Sequence, residues 1–286
     1  MVFGLLAYLL WGLFPAFFPL LLPAGPVEIL AHRIVWTAVL MVLVLTALKG
    51  WGELRRASRR TWLLLVTAGV LISANWGIYV LAVNSGHVAD AALGYFINPL
   101  LSVLLAVVFL GERLNRMQLV AVGIATLGVL QLTFLSGQAP VMALGMAITF
   151  GFYGLVKKRV QVSPRASLTA ETLVIAPLGI VYLVWLESTG QGTFFSEGPV
   201  HTTLLVVSGL VTTAPLLLFG MAAKRLPLAT IGMIQYLTPT MQMLWALFVT
   251  QEYLSPARWI GFIIIWVAVA IYLADIVRRR RHHQVR

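Results

Sequence analysis

Two stretches of the chain decide the fold, NPLLSVLLAVVFLGERL at residues 98–114 and TPTMQMLWALFVTQEYL at residues 238–254. They lie 140 residues apart, and each places a proline thirteen residues before a glutamate that is followed by x-Leu. Such a match between distant parts of one chain indicates an internal repeat.

The match extends outward from these stretches without a gap. At the same shift, the residues that coincide are Gly69 with Gly209, Ala74 with Ala214, Ala82 with Ala222, Ala89 with Ala229, Leu104 with Leu244 and Ile124 with Ile264. At a shift of about 139, LLWGLF near the start also resembles AITFGFYG near the middle. We therefore predict one repeat in residues 1–137 and a second in residues 138–286, which carries a basic tail.

Composition predicts that the solvent of this chain is a lipid bilayer. The 286 residues are 60% hydrophobic and only 10% charged, whereas soluble domains have roughly a quarter charged residues. Apolar runs of about 20 residues, long enough to cross a bilayer, recur along the chain. We predict an all-α integral membrane protein with ten spans, at 3–22, 27–48, 61–83, 88–110, 117–135, 140–156, 166–186, 203–222, 228–250 and 257–277.

The spans divide into five per repeat, so the second repeat is expected to cross the membrane in the opposite sense. The basic residues agree with this count, because eighteen of the twenty Lys and Arg fall in the tail and in one set of alternate loops. Only Arg258 lies in the other loops, and Arg33 lies within a span. Since basic loops stay in the cytoplasm, we expect both termini to be cytoplasmic.

The sequence disfavours several other classes of protein. There is no cysteine, no HExxH and no pair of aspartates within the spans, so we expect no enzyme, no metal site and no cofactor. The net charge of +11 is explained by membrane topology and by contact with anionic lipid. We therefore expect lipid and a small solute as partners, and no nucleic acid.

Helix breakers fall at matching depths of the two repeats. Pro99 and Pro239 each free a backbone carbonyl one turn back. One interpretation is a tolerated kink. The other is that the paired breaks expose polar backbone to a central cavity. The residues just before each proline favour a solute-binding role there; they are Tyr95, Asn98, Gln235 and Tyr236.

Further candidates for binding come from polar and aromatic residues inside other spans. Asn75 and Tyr79 are four residues apart and share a helix face. Tyr8 and Trp11 lie in span one, and Tyr153 lies in span six. Hydrogen bonding between helices and ordinary aromatic packing are the alternatives to cavity lining.

The stretch EILAHRIVW at residues 28–36 places charged groups inside a span. Arg33 either snorkels to the membrane surface or faces the bundle interior, where it would attract a carboxylate solute or an acid. His32 lies beside it, and Glu28 is interpreted as an interface residue. Glu171, in span seven, is expected at the other end of a cavity, so a direct pair with Arg33 is doubtful. His32 and Glu171 are candidate proton carriers.

These residues carry a resemblance to a known family. The chain resembles RarD-type members of the EamA branch of the drug/metabolite transporter superfamily. The matching stretches include AYLLWGLFP, EILAHRIVW, NWGIYVLAVNSGHVADAALGYFINPL, FLGERL, GLVTTAPLLLFGMAAKRLPL and IQYLTPT. The resemblance implies ten helices in two inverted repeats, a bacterial cytoplasmic membrane, and a cavity lined by spans one, three, four, six, eight and nine. Members of this type are associated with chloramphenicol sensitivity.

The function expected from these observations is secondary transport by alternating access, with export of small amphipathic metabolites or drugs. The alternatives are an uptake permease, a proton-coupled transporter of amino-acid type, and a non-transporting receptor or scaffold. The substrate, the coupling ion and the choice between monomer and homodimer stay open at this stage.

Overall fold

The computed structural model describes residues 1–84, 88–136, 141–249, 251 and 255–284. Within these residues the chain is helical and contains no strand. The helices are α1 (Val2–Gly12), α2 (Phe14–Phe17), α3 (Pro26–Ala47), α4 (Trp51–Arg55), α5 (Arg59–Asn84), α6 (Val88–Leu110), α7 (Arg116–Ser136), α8 (Val141–Arg159), α9 (Pro164–Ser188), α10 (Gly198–Arg225), α11 (Leu228–Gln235), α12 (Leu237–Phe248) and α13 (Pro256–Gln284). A 3₁₀ helix at Phe18–Leu21 continues α2.

The expectation of an all-helical membrane protein is confirmed. In the described part of the chain, nine helical segments are long and apolar enough to cross a bilayer. They correspond to nine of the ten predicted spans, and the first is assembled from α1, α2 and the 3₁₀ helix.

The remaining predicted span, 228–250, is not one helix. It is divided at Tyr236 into α11 and α12. Pro239 lies in the first turn of α12, a position where a helix tolerates proline. The break expected at Pro99 is not found, because α6 runs through this proline without interruption. The connection between the predicted spans 27–48 and 61–83 contains the short helix α4.

Local sequence explains where several of these helices begin and end. Prolines occupy the first position of α3 and α9, where no N–H is needed. Ser163 precedes α9 and its Oγ accepts the N–H of Ala166 at 3.3 Å. Gly111 ends α6 with a φ of 64°, a left-handed conformation that suits glycine. This turn points the next residue, Glu112, back toward the bundle.

The helices pack as one bundle with its core between the two halves of the sequence. The neighbours of α8 are α6 and α5, those of α3 are α9 and α10, and α1 packs on α10 and α12. α7 and α13 form a pair. The largest fully buried side chains are aromatic, and they are Tyr8, Tyr153, Tyr236, Tyr272 and Phe219. Many Leu and Val side chains face outward, as expected for a surface in contact with lipid.

Candidate functional site

A buried arginine stands at the centre of the candidate site. Arg33 is only 8% exposed, and its Nε donates to Thr212 Oγ1 at 2.9 Å. Its guanidinium carbon lies 4.8 Å from the ring centroid of Trp76, 5.0 Å from that of Phe18 and 5.5 Å from that of Phe14. We call these five residues the Arg33 group. The side chain therefore packs among helices of the bundle and does not snorkel.

Two of the predicted binding residues border the Arg33 group. The rings of Tyr79 on α5 and Tyr95 on α6 lie 6.5 Å apart. Both side chains are within electrostatic range of the Arg33 guanidinium. A cation, three aromatic faces and two phenols of the first half of the chain thus lie near one another, and the second half contributes the Thr212 hydroxyl.

No ion pair of this cation occurs among the side chains that the structure describes, which do not include that of Asp90 near the start of α6. The two ion pairs found there join Lys157 to Glu171 and Arg165 to Glu53. In the same residues, the single hydrogen bond donated by Arg33 comes from Nε, so neither Nη atom has a partner. A buried charge without a counter-ion is unusual and costly. The Arg33 group can therefore accept an anionic group from outside the protein.

The side chain of His32 points in a different direction from that of Arg33. Successive residues of a helix point about 100° apart, and His32 accepts a hydrogen bond at Nδ1 from Trp36 Nε1 at 3.2 Å. Its ring stacks on Phe194 at 4.9 Å between centroids. His32 Nε2 is buried and has no partner among the described residues. His32 thus contacts the connection between α9 and α10 and does not join the Arg33 group.

Glu28 corrects one interpretation from the sequence. It is 3% exposed, so it is not an interface residue in contact with water. Its Oε1 accepts the backbone N–H of Thr193 at 2.7 Å and the Thr193 hydroxyl at 3.0 Å. His201 Nε2 lies 2.8 Å from the same hydroxyl. Glu28 therefore holds the α9–α10 connection against α3.

Glu171 lies in a separate polar network between α8 and α9. Lys157 Nζ is 2.7 Å from Glu171 Oε1 and donates to Ser167 Oγ at 2.7 Å. Ser167 Oγ and Tyr153 Oη also donate to the Glu171 carboxylate, the latter at 3.0 Å. All four side chains are buried. Glu171 pairs with Lys157. It does not pair with Arg33, and that pair was already considered doubtful from the sequence.

Lys157 is the residue that sequence reasoning missed. It was counted among the basic residues of a loop, yet it lies in the last turn of α8 and is 3% exposed. Two spacings of four residues carried a signal, Tyr153 to Lys157 and Ser167 to Glu171, because each places both polar groups on one helix face.

Three predicted aromatic residues form a packed cluster next to the site. Tyr8 and Trp11 on α1 meet Phe219 at 6.3 and 5.8 Å between ring centroids. Tyr153 stacks on Phe219 at 5.7 Å, and the Phe150 ring contacts both of these rings. Tyr8 Oη has no partner among the described residues, although it is buried. Packing thus accounts for the rings but not for this hydroxyl.

The remaining predicted residues are buried within the helices of the bundle. Asn75 Nδ2 donates to the carbonyl of Met146 at 2.8 Å, which ties α5 to α8. Asn98 accepts the hydroxyl of Ser102 within α6 at 3.3 Å. Gln235 and Tyr236 are both buried, at the end of α11 and at the break that follows it. None of these four is placed in the Arg33 group.

Glu112 has a role that the sequence did not predict. Its two carboxylate oxygens accept the N–H groups of Leu228, at 2.6 Å, and Ala229, at 3.0 Å. These are free N–H groups of the first turn of α11, where a negative charge is favourable. Glu112 therefore ties the end of α6 to the start of α11. The equivalent residue, Glu252, lies outside the described residues.

No cluster of three or more His, Asp or Glu that could hold a metal ion occurs within the described ranges. The site offers a cation, phenols and aromatic faces, which suit an organic solute.

Comparison with known proteins identifies relatives along the whole chain. The profile of the EamA-like transporter family matches residues 1–134 and again residues 138–274. A protein named RarD from Streptomyces exfoliatus is 45% identical over 100% of this chain and 91% of its own length. An uncharacterized transporter of Pseudomonas aeruginosa is 40% identical over 98% of this chain and 95% of its own. A solved crystal structure with 20% identity superposes with a TM-score of 0.75 over 95% of this chain and 96% of that chain, which supports the fold.

Proposed function

This chain belongs to the EamA-like transporter family and is a RarD-type member, and from that premise we propose that it is a secondary transporter, not an enzyme. We propose that it moves small amphipathic solutes across the bacterial cytoplasmic membrane by alternating access, in the export direction. The observation that carries the proposal is the Arg33 group, an incomplete polar site enclosed by helices of both halves.

We further propose ten spans arranged as two inverted repeats, in residues 1–137 and 138–286, with α11 and α12 together forming the ninth span. The two separate matches of one family profile support this division. The helix contacts support it as well, because pairs of helices in contact have equivalent pairs, with the two repeats exchanged, that are also in contact. The contact between α3 and α10 corresponds to the contact between α9 and α5. The contact between α6 and α8 corresponds to the contacts of α1 with α11 and α12.

Close helix contacts obey the same exchange at single residues. A Cβ on Gly12 would lie 2.5 Å from Met241 Cβ, and one on Gly151 would lie 3.3 Å from Leu101 Cδ2. Met241 follows Leu101 by 140 residues, and Gly151 follows Gly12 by 139. Equivalent glycines thus let equivalent helices approach, which random packing would not produce.

The ends of the equivalent helices α6 and α12 also agree. Gln251 follows Gly111 by 140 residues and has a positive φ of 52°, close to the 64° of Gly111. Residues other than glycine rarely adopt this backbone conformation. Its occurrence at the equivalent position supports a common turn in both repeats.

The sidedness proposed here places both termini and the basic loops in the cytoplasm. The chain has no cysteine, so single cysteines can be labelled without background. With an impermeant maleimide on intact cells, Glu197→Cys should react, and Arg56→Cys should react only after permeabilisation. The reverse pattern would overturn this orientation.

Transport itself is tested by reconstitution into liposomes with amino acids, aromatic metabolites and chloramphenicol. We expect flux of at least one solute class above empty liposomes, measured with and without a proton gradient. A proton-coupled mechanism predicts that flux follows the imposed gradient. Absence of flux and of counterflow for the whole panel, at verified insertion, would contradict the proposed function.

A further inference from the structure

We propose that Arg33 binds the carboxylate of an aromatic organic acid, so that the solutes of this transporter are aromatic carboxylates. This inference rests on the proposed function, since the ligand is taken to be the transported solute. It names the chemical group that completes the Arg33 group.

The first step is the missing counter-ion. Arg33 is only 8% exposed, and ions buried to this extent normally pair with an opposite charge. The acids of the predicted spans whose side chains the structure describes are already engaged, Asp275 by Asn115; the side chain of Asp90 lies outside those described. Glu171 holds Lys157, and Glu28 holds Thr193 on the far side of α3. The aromatic faces attract the cation but cannot neutralise its charge.

The second step is the geometry of the free donors. Thr212 takes the Nε–H, which fixes one edge of the planar guanidinium. The Nη1 and Nη2 groups at its far end have no partner among the described residues, and together they form a fork. A carboxylate fits this fork with two parallel hydrogen bonds. A neutral amide offers only one oxygen to the same donors.

The third step is the apolar body of the ligand. Rings of Phe14, Phe18 and Trp76 surround the guanidinium at 4.8 to 5.5 Å from its central carbon. Tyr79 and Tyr95, whose rings lie 6.5 Å apart, are within electrostatic range of the same guanidinium and add two phenol groups. An acid with a ring beside its carboxylate would place each part against matching groups. A hydrophilic acid such as a small dicarboxylate would leave the rings without a partner.

The test compares acids with amides of the same shape. The probes are 3-phenylpropanoate with 3-phenylpropanamide, and indole-3-acetate with indole-3-acetamide. Binding to the purified full-length protein in nanodiscs is measured by calorimetry. Because charge-assisted hydrogen bonds are the strong ones, we expect each acid to bind roughly ten- to a hundredfold more tightly than its amide.

Variants assign the preference to the guanidinium. Arg33→Gln should bring acid and amide to equal affinity, and Arg33→Lys should keep a reduced preference because it retains the charge but loses the fork. Arg165→Gln, which removes a partly exposed arginine paired with Glu53, is the matched control and should preserve the full preference. Melting curves and gel filtration establish that each variant is folded.

Two results would overturn the inference. One is equal binding of acids and amides by the wild type, or binding of neither. The other is an acid preference that survives in folded Arg33→Gln. If the protein transports other solutes while binding no aromatic acid, the inference fails and the transport function stands. If it binds the acids but moves no solute, the transport function fails and the binding site stands.

Discussion

The two buried cations among the described residues have opposite surroundings. Lys157 is 3% exposed and contacts the Glu171 carboxylate and the Ser167 hydroxyl, and the Tyr153 hydroxyl donates to the same carboxylate. Arg33 is 8% exposed and meets one hydroxyl and three aromatic rings, with no acid among the described residues. The sequence placed Arg33 within a span and Lys157 in a loop, yet both are buried, and their partners differ.

This difference separates a structural charge from a functional one. The Lys157 network satisfies its own charges and hydrogen bonds, so it stabilises the contact between α8 and α9 without any ligand. The Arg33 group is incomplete and gains a partner only from a solute. The two sites should therefore respond differently when their cations are removed.

The largest effect is expected at the Lys157 network. Lys157→Met leaves the Glu171 carboxylate buried and unpaired, and it should lower the free energy of unfolding by about 3–5 kcal/mol. Chemical unfolding in mixed micelles measures this loss. The double variant Lys157→Met/Glu171→Leu, which removes both charges, should recover most of the stability. A single variant as stable as the wild type would show that the pair is not structural.

A smaller effect is expected at Glu112, whose carboxylate accepts two N–H groups of α11. Glu112→Ala should cost about 1–2 kcal/mol of unfolding free energy, the range typical of a lost helix cap. Glu112→Gln is the control, and its smaller loss reflects an amide oxygen that still accepts one N–H. If both variants lose the same stability, the charge of Glu112 and not its capping geometry is responsible. Like Lys157, Glu112 is satisfied within the protein, so its loss should be measured without ligand.

The smallest effect on stability is expected at Arg33. Arg33→Gln loses one hydrogen bond and the ring contacts, but it also relieves an unpaired buried charge, so unfolding should change by less than about 1 kcal/mol. Thr212→Val, which removes the acceptor of the Nε bond and keeps the cation, is the companion variant. A loss as large as that at Lys157 would indicate a hidden counter-ion and erase the contrast between the two sites.

Much of the fold followed from the sequence, because lipid forces every backbone group into helix hydrogen bonds and thereby fixes the length of each apolar run. The division at Tyr236 did not follow. Pro99 and Pro239 have the same chemistry at equivalent positions, yet α6 continues through its proline and the other span is broken three residues before its own. Packing against neighbours decides such cases, and packing is not visible in a single sequence.

The candidate site was predictable in part. The cost of burying Arg33 singled it out, and Tyr79 and Tyr95 were expected near a solute. The rings of Phe18 and Trp76, and the hydroxyl of Thr212, could not be assigned to it because their positions depend on how each helix is rotated. The same reason applies to Lys157. Its four-residue spacing from Tyr153 is visible in the sequence, but the helix that packs against this face could not be predicted.

The break at Tyr236 has a mechanical consequence. An unbroken helix resists bending through its ladder of hydrogen bonds, and Pro239 removes the bond to the carbonyl of Gln235. On one side of this soft joint, α11 is anchored by Glu112 and packed on α6. On the other side, α12 leans on α1 through Met241 and Gly12. A force on α12 would therefore bend the chain at Tyr236 and leave α11 in place. Tyr236 is the expected hinge for rigid-body motion of α12 relative to α11.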